Sequence, residues 1–212
     1  MKNESERLKL NEEKWDKWAK SLDGKNWKYE YLRKAQKSVI ALLEVNENIH
    51  FLDVGCGTGW AVGEAAELTK GKGIFYGVDL SEKMIEKAKE NFKGRDNFHF
   101  IKANVESIPL EDNFFDVIIC TNSFHHYLNP DKALKEMQRL LRKNGKLYVL
   151  DPTADSLIIK AIDKIIKLLE AEHVKMYSTK EFKDLYKKAG FKYISPNIKG
   201  SHQKIHIGEK VL

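Results

Sequence analysis

The chain has 212 residues, of which 42% are hydrophobic and 32% charged, and its formal net charge is +6 at pH 7. This length supports a large buried core, and because no Pro/Gly/Ser-rich linker or repeat interrupts it, we predict a single domain over residues 1–212. The apolar runs are too short for a membrane span, the polar start is unlike a signal peptide, and the two cysteines lack metal-site spacing, so we expect a cytoplasmic protein without bound metal.

Two helices are predicted at the N-terminus, over residues 10–21 and 26–45, within a helical cap formed by residues 1–47. This region is unusually aromatic. Such rings either pack in the core, which is their commoner use on amphipathic helices, or hold a sulfonium or a substrate by cation–π contact. The rings in question belong to Trp15, Trp18, Trp27, Tyr29 and Tyr31.

A glycine-rich turn follows the first predicted strand. An apolar run passes through Asp53 into Gly55-Cys56-Gly57-Thr58-Gly59, and a second apolar run ends at Asp79. Glycines adopt positive φ and let the backbone approach a ligand, and the helix that follows begins with unpaired N–H groups. The segment therefore predicts a nucleotide-like ligand at this turn.

The spacing of the glycines indicates which nucleotide binds. A dinucleotide fingerprint needs G-x-G-x-x-G, whereas the third glycine here falls one residue early, at Gly59, and Trp60 takes its place. A carboxylate at Asp53 would repel a pyrophosphate and attract a cation. S-adenosylmethionine carries an ammonium and a sulfonium but no phosphate, and Asp79 stands 20 residues after Gly59, where an acid binds ribose hydroxyls. The pattern predicts S-adenosylmethionine as the ligand.

Four segments, in the expected order, resemble motifs of the class I S-adenosylmethionine-dependent methyltransferases. The resemblance covers roughly residues 10–151 and is closest to the small-molecule branch that includes ubiquinone and menaquinone C-methyltransferases. The segments are Leu52–Gly59, Gly77–Ser81, Ala103–Leu110 with Phe115–Ile118, and Leu140–Leu147.

The residues and the resemblance together imply a cofactor site. Asn104 stands where the family usually has Asp, and its amide still exchanges hydrogen bonds with an adenine amino group. Arg33 carries a guanidinium suited to a bidentate pair with the cofactor's carboxylate. The expected cofactor contacts are Asp53, Gly55, Cys56, Gly57, Gly59, Asp79, Leu80, Asn104, Val105, Thr121 and Arg33.

The fold class expected is α/β, a doubly wound, mostly parallel seven-stranded sheet of the Rossmann-like methyltransferase type, with residues 48–151 as the cofactor-binding core. Ser81 is a predicted helix N-cap, and Asn144-Gly145 suits a left-handed turn. The predicted strands are 49–54, 74–79, 98–102, 115–120, 145–150, 191–194 and 204–207, and the predicted core and C-terminal helices are 59–70, 81–91, 130–142 and 179–189.

An insertion over residues 152–178 follows the fifth strand and is centred on an amphipathic helix over 157–169. We expect this helix to pack on the core, with part of its apolar face lining the pocket as a lid, rather than to contact a second subunit or a membrane. Residues 179–212 supply the last helix and strands. Residues 152–212 hold 12 basic and 7 acidic side chains, a net charge of +5, but the lysines are spread among acids, which favours a solvated surface over nucleic-acid contact.

Two histidines just past the fourth strand, His125 and His126, are the candidate catalytic bases. The reaction is an in-line displacement at the methyl group, so a base is needed only if the acceptor must lose a proton. Either ring could instead stack on the cofactor or cap a helix, and His125 is preferred because the resembling family often has His there. His99, His173, His202 and His206 are expected to be structural or surface residues, and of these His202 lies outside the residues that the structure describes.

The predicted function is S-adenosylmethionine-dependent methyl transfer to a small-molecule acceptor. One alternative is a non-catalytic S-adenosylmethionine-binding or regulatory domain on the same fold. A nicotinamide-dependent enzyme is the other alternative, and Asp53 and Trp60 disfavour it. The acceptor and the oligomeric state stay open.

Overall fold

A computed structural model describes residues 3–20, 27–170, 173–194 and 203–211. The strands are β1 (His50–Val54), β2 (Ile74–Asp79), β3 (Phe98–Lys102), β4 (Phe115–Thr121), β5 (Leu141–Pro152), β6 (Phe191–Ile194) and β7 (Gln203–Lys210). The α-helices are α1 (Glu4–Lys20), α2 (Trp27–Ile40), α3 (Trp60–Leu68), α4 (Glu82–Asn91), α5 (Pro130–Leu140), α6 (Leu157–Leu169) and α7 (Thr179–Lys188), and a short 3₁₀ turn spans Phe124–His126.

The strands form one seven-stranded sheet in the order β3-β2-β1-β4-β5-β7-β6. Strands β1 to β5 pair in parallel, and β7 runs antiparallel between β5 and β6. One apolar layer buries side chains of α2, α3 and α4, and the other buries those of α5 and α7. The predicted doubly wound α/β fold is confirmed, and its parallel strands end at one common edge.

The N-terminal helices differ from their predicted bounds. α1 begins earlier than predicted, at Glu4, and α2 ends at Ile40 rather than at residue 45. After Ile40 the N–H groups of Leu42 and Leu43 bond three residues back, which tightens and ends the helix. Residues 21 and 26, at the remaining predicted ends, lie outside the described part of the chain.

Local signals around the core place its turns as predicted. Ser81 caps α4 by accepting a hydrogen bond from the Met84 N–H, and Asn144 adopts the left-handed conformation at φ 64°. α5 stops two residues before its predicted end because Leu141 already pairs with Phe115 in the sheet. β7 is longer than predicted because residues 203–209 pair with β5 and Lys210 pairs with Phe191 of β6.

The prediction that α6 packs on the core and lines the pocket is wrong. No residue of this helix is buried, and none lines the cavity described below. Only Ile159, Asp163 and Ile166 are half-buried, and their spacing of four and three residues places them on one narrow stripe. The broad apolar side of the helix therefore faces away from the core. None of the described helices has the length and apolar content needed to cross a bilayer.

Asp53 lies within the sheet and is fully buried. Its two carboxyl oxygens have no hydrogen-bond partner among the described residues. Burial, with a smaller contribution from the nearby Asp79 charge, raises the pKa of Asp53 to about 8. The carboxyl group is therefore mostly protonated at neutral pH in the protein alone, so the fixed negative charge expected at this position is absent.

The raised pKa of Asp53 predicts a specific pH dependence of stability. Between roughly pH 5 and 7 the folded chain keeps a proton that the unfolded chain has lost, so this group lowers the unfolding free energy by about 1.4 kcal/mol per pH unit as pH rises. Asp53→Asn should remove that slope, which denaturant titrations at several pH values would measure. The exposed Asp184→Asn is the control, and a constant difference between wild type and Asp53→Asn across this range would contradict the assignment.

Candidate functional site

A cavity of about 350 Å³ lies at the carboxyl ends of β1, β2 and β4. It brings together most of the residues predicted for the site, from segments far apart in the chain. Those that line it are Arg33, Gly55, Cys56, Gly57, Asp79, Leu80, Asn104, Val105, Thr121, His125 and His126.

Two predicted cofactor contacts, Asp53 and Gly59, do not line the cavity. Alternation along β1 turns Val54 to the cavity, and Asp53 lies behind the glycine turn. Gly59 begins α3 with φ 82°, and a Cβ there would approach the rings of Phe100 and Phe92 to about 3 Å. Glycine is therefore required at this position because a side chain would clash with the rings that pack between α3, α4 and β3.

The glycine turn is held to the end of β2 by backbone hydrogen bonds. The N–H groups of Gly55 and Cys56 both donate to Val78 O, at 2.8 and 3.0 Å. Gly57 has φ 53°, and a Cβ at this position would meet nothing closer than Met84 Sδ at 4.0 Å. The backbone of Gly57 therefore faces open cavity, where a ligand can approach it closely.

Asp79 closes the turn at the end of β2. Its Oδ2 accepts the Gly57 N–H and its Oδ1 accepts the Ser81 N–H, both at 2.9 Å. Burial raises the pKa of Asp79, and the N–H groups of Ser81, Gly57 and Leu80 oppose that rise. Each oxygen keeps a further lone pair, so the carboxylate orders the turn and still offers acceptors to a ligand's hydroxyl groups.

The loop after β3 supplies the opposite wall. Asn104 Oδ1 accepts the Glu106 N–H at 3.0 Å, and Asn104 O accepts the Ser107 N–H. The side chain predicted to contact an adenine thus also fixes its own turn. Glu106 is in turn held by the Asn129 side chain, with both oxygens at 3.0 Å from Asn129 Nδ2.

The N-terminal helices form the remaining wall of the cavity. Trp15 and Trp18 of α1 line the cavity with ring centroids 5.5 Å apart, and Gln36 of α2 donates to Thr121 Oγ1 at 3.1 Å. Arg33 lies 5.6 Å from the Trp60 ring, in cation–π contact. Tyr31 is exposed, and the side chains of Trp27 and Tyr29 lie outside the described residues.

His125 is paired with a carboxylate that the sequence reading did not single out. Its Nδ1 lies 2.9 Å from Asp151 Oδ1, and Asp151 is fully buried on β5. A carboxylate acceptor assigns the proton to Nδ1, which leaves Nε2 as the acceptor atom of the ring. Asp151 ends an apolar run on a parallel strand, as Asp53 and Asp79 do, and that signal could have identified it.

His126 and His173 complete a cluster of three imidazoles. Burial, and secondarily the charges of His125, Lys14 and His173, lower the pKa of His126 well below its usual range, so this ring is neutral at pH 7. His173 is buried with its ring centroid 5.6 Å from that of His125, and its Nε2 lies 2.6 Å from Asp163 Oδ1. We expected His173 to be a structural or surface residue, because the sequence does not show that the chain after α6 returns to the vicinity of His125.

Comparisons with known proteins agree with this geometry. The chain is 28% identical over 152 residues to the uncharacterized methyltransferase YcgJ of Bacillus subtilis (70% of this chain, 59% of YcgJ). It is 27% identical over 183 residues to the ubiquinone/menaquinone biosynthesis C-methyltransferase UbiE of Vibrio vulnificus (75% of this chain, 70% of UbiE). A methyltransferase structure from Aquifex aeolicus superposes with a TM-score of 0.72 at 22% identity, covering 92% of this chain and 98% of that one, which supports the fold.

The extent of these matches differs between relatives. The chain spans 36% to 59% of the length of three curated relatives that it matches. A model of the methyltransferase domain matches residues 45–190, which is more than half of the chain. The chain therefore belongs to this methyltransferase family.

Proposed function

We propose that the chain transfers a methyl group from S-adenosylmethionine to a small-molecule acceptor. The observation that carries this proposal is the Asp79 carboxylate, which faces the cavity beside the open backbone of Gly57 and orders it by a hydrogen bond of 2.9 Å. An acid at the end of the second parallel strand is suited to paired ribose hydroxyls. S-adenosylmethionine supplies the activated methyl group when it binds.

The residues that line the cavity fit this cofactor. Gly55 and Gly57 offer backbone, Asp79 offers acceptors for the ribose, and Asn104 offers its side chain on the adenine side. Arg33, held against Trp60, offers a donor pair for a carboxylate. S-adenosylmethionine carries no phosphate, so its binding requires no phosphate-binding loop. A dinucleotide would require one for its pyrophosphate.

The protein's contribution to the reaction is orientation, exclusion of water and, for a protic acceptor, removal of a proton. The acceptor would enter between the α1 tryptophans and the histidines. His125 is the proposed base, since Asp151 orients its ring and leaves Nε2 free to accept a proton. Neutral His126 packs edge-on against Trp15, with ring centroids 5.1 Å apart, and would shape the apolar side of this space.

The acceptor class is inferred from the mostly apolar lining of the cavity, which includes the rings of Trp15, Trp18 and Tyr127. The name of the UbiE relative assigns that protein to methylation at carbon in quinone biosynthesis, which supports a small organic acceptor for this chain.

The first test is turnover. Purified protein incubated with S-adenosylmethionine and a panel of phenols, quinols, amines and carboxylic acids should form S-adenosylhomocysteine with at least one acceptor. Calorimetry should show binding of both S-adenosyl compounds and none of NAD. Cofactor binding without turnover on the whole panel would favour a non-catalytic domain, and NAD binding alone would favour a nicotinamide enzyme.

Removal of the Asp79 carboxylate should weaken the cofactor complex. Asp79→Ala should lower the affinity for S-adenosylhomocysteine by roughly 10- to 100-fold, because charge-assisted hydrogen bonds to the ribose are lost. Calorimetry with the 2′-deoxy analogue separates this from damage to the turn. Wild type should prefer the ribose compound and Asp79→Ala should not, whereas a preference that survives the substitution would rule out the ribose contact.

Loss of the proposed base should affect turnover rather than binding. With a protic acceptor from the panel, His125→Asn should lower kcat by about 10²- to 10⁴-fold, the usual contribution of a general base. Asp151→Asn should lower it by a smaller factor through loss of ring orientation. Both variants should bind S-adenosylhomocysteine as wild type does. His99→Asn, a ring packed on Tyr76 outside the cavity, is the control; normal turnover in His125→Asn would leave this histidine a packing residue.

A further inference from the structure

Helix α6 presents a large apolar surface to solvent. Leu157 and Leu168 are 83% and 86% exposed, and four neighbouring aliphatic side chains are also exposed. Contiguous apolar surface of this kind marks an interaction site in folded proteins. We call it the α6 face, and it consists of Leu157, Ile158, Ile162, Ile165, Leu168 and Leu169.

The orientation of α6 is fixed by polar contacts on its other side. Asp163 Oδ1 lies 2.6 Å from His173 Nε2 and accepts the Met176 N–H at 2.8 Å. Ile159 and Ile166, one turn away on either side, are half-buried. The helix therefore packs on the rest of the protein through the stripe of Ile159, Asp163 and Ile166. These contacts keep the α6 face turned outward.

All of the unpaired charge along the α6 face is positive. Lys160, Lys164 and Lys167 recur at helical spacing along one border of the face and form no ion pair within the described chain. The one acid of the helix, Asp163, is turned toward His173. Two described acids flank the helix and both are paired, Asp155 with Lys204 and Glu170 with Lys14.

We propose that the α6 face docks on the surface of an anionic lipid bilayer. A helix with a wide apolar side bordered by lysines lies in the plane of a membrane interface, where the aliphatic groups enter the acyl boundary and the lysines reach the headgroups. A symmetric antiparallel pairing of two copies through this face would place both lysine borders on the same side, where they would repel. An anionic surface satisfies both the apolar side chains and the lysines.

The docked helix would lie near the cavity. Its C-terminal end is tied to α1 by the Lys14–Glu170 pair at 3.5 Å, and Asp163 reaches the histidine cluster through His173. Docking would therefore bring the cavity wall that contains His125 close to the lipid. The docking proposal itself does not depend on methyl transfer, and its test measures binding alone.

The experiment is co-sedimentation of the full chain with vesicles. Wild type should partition onto vesicles of equal parts phosphatidylcholine and phosphatidylglycerol, weakly onto phosphatidylcholine alone, and less in high salt. One variant tests the apolar α6 face, and a second tests the lysines along its border. Leu157→Ser/Leu168→Ser and Lys160→Gln/Lys164→Gln/Lys167→Gln should each lower the partition coefficient by about tenfold or more.

Matched controls carry the same changes elsewhere. Leu42→Ser/Leu68→Ser replaces two exposed leucines outside α6, and Lys89→Gln/Lys93→Gln/Lys143→Gln removes three exposed lysines, and neither should change partitioning. Unaltered melting temperatures would show that the variants fold. The proposal is overturned if wild type ignores anionic vesicles, or if both α6 variants bind them as wild type does. It is also overturned if light scattering shows a dimer that Leu157→Ser/Leu168→Ser abolishes while vesicles remain unbound.

Discussion

The cavity depends on the hydrogen bonds that join the turn after β1 to the end of β2. Gly57 N–H donates to Asp79 Oδ2, and Gly55 and Cys56 donate to Val78 O. These bonds hold Gly57 in a left-handed conformation with its backbone toward the cavity. Without a side chain at Gly57, the strand ends leave room for a ligand, and the carboxylate that orders the turn is the same group that we propose binds the ligand.

Two aspartates at adjacent strand ends behave differently because of their partners. Asp79 accepts two backbone N–H groups at the cavity wall, whereas Asp53, behind the turn, accepts none among the described residues. Burial acts on both, but only Asp79 has donors to oppose the rise in its pKa. A neutral Asp53 cannot repel a pyrophosphate, so the case against a dinucleotide rests on the glycine spacing, in which Trp60 takes the place of the third glycine.

Features governed by local patterns were predictable from the sequence. The period of the apolar residues located the strands and helices, and the residue types at Ser81 and Asn144 identified a cap and a left-handed turn. The parallel sheet then required the strand ends to meet, which explains why Asp79 and His125 share a cavity with the glycine turn.

Features set by long-range packing were not predictable in this way. A single sequence does not show that Asp53 lacks donors, that His173 returns to His125, or that Asp151 is buried beneath it. The rotation of α6 about its own axis is also set by long-range packing. The sequence correctly predicted an amphipathic helix, but its periodicity shows only that one side is apolar. The side that contacts the rest of the protein is set by Asp163 and its hydrogen-bond partners.

The energetics of α6 show why its apolar side requires a further contact. Burial of a large aliphatic side chain contributes about 1.5–3 kcal/mol, so six left exposed forgo on the order of 10 kcal/mol. The Asp163 contacts that hold the helix offset only part of this, at roughly 1.5–3 kcal/mol for each hydrogen bond to a charged group. Among the described residues nothing covers this apolar surface, and a negatively charged partner would both cover it and neutralise the three lysines along its border.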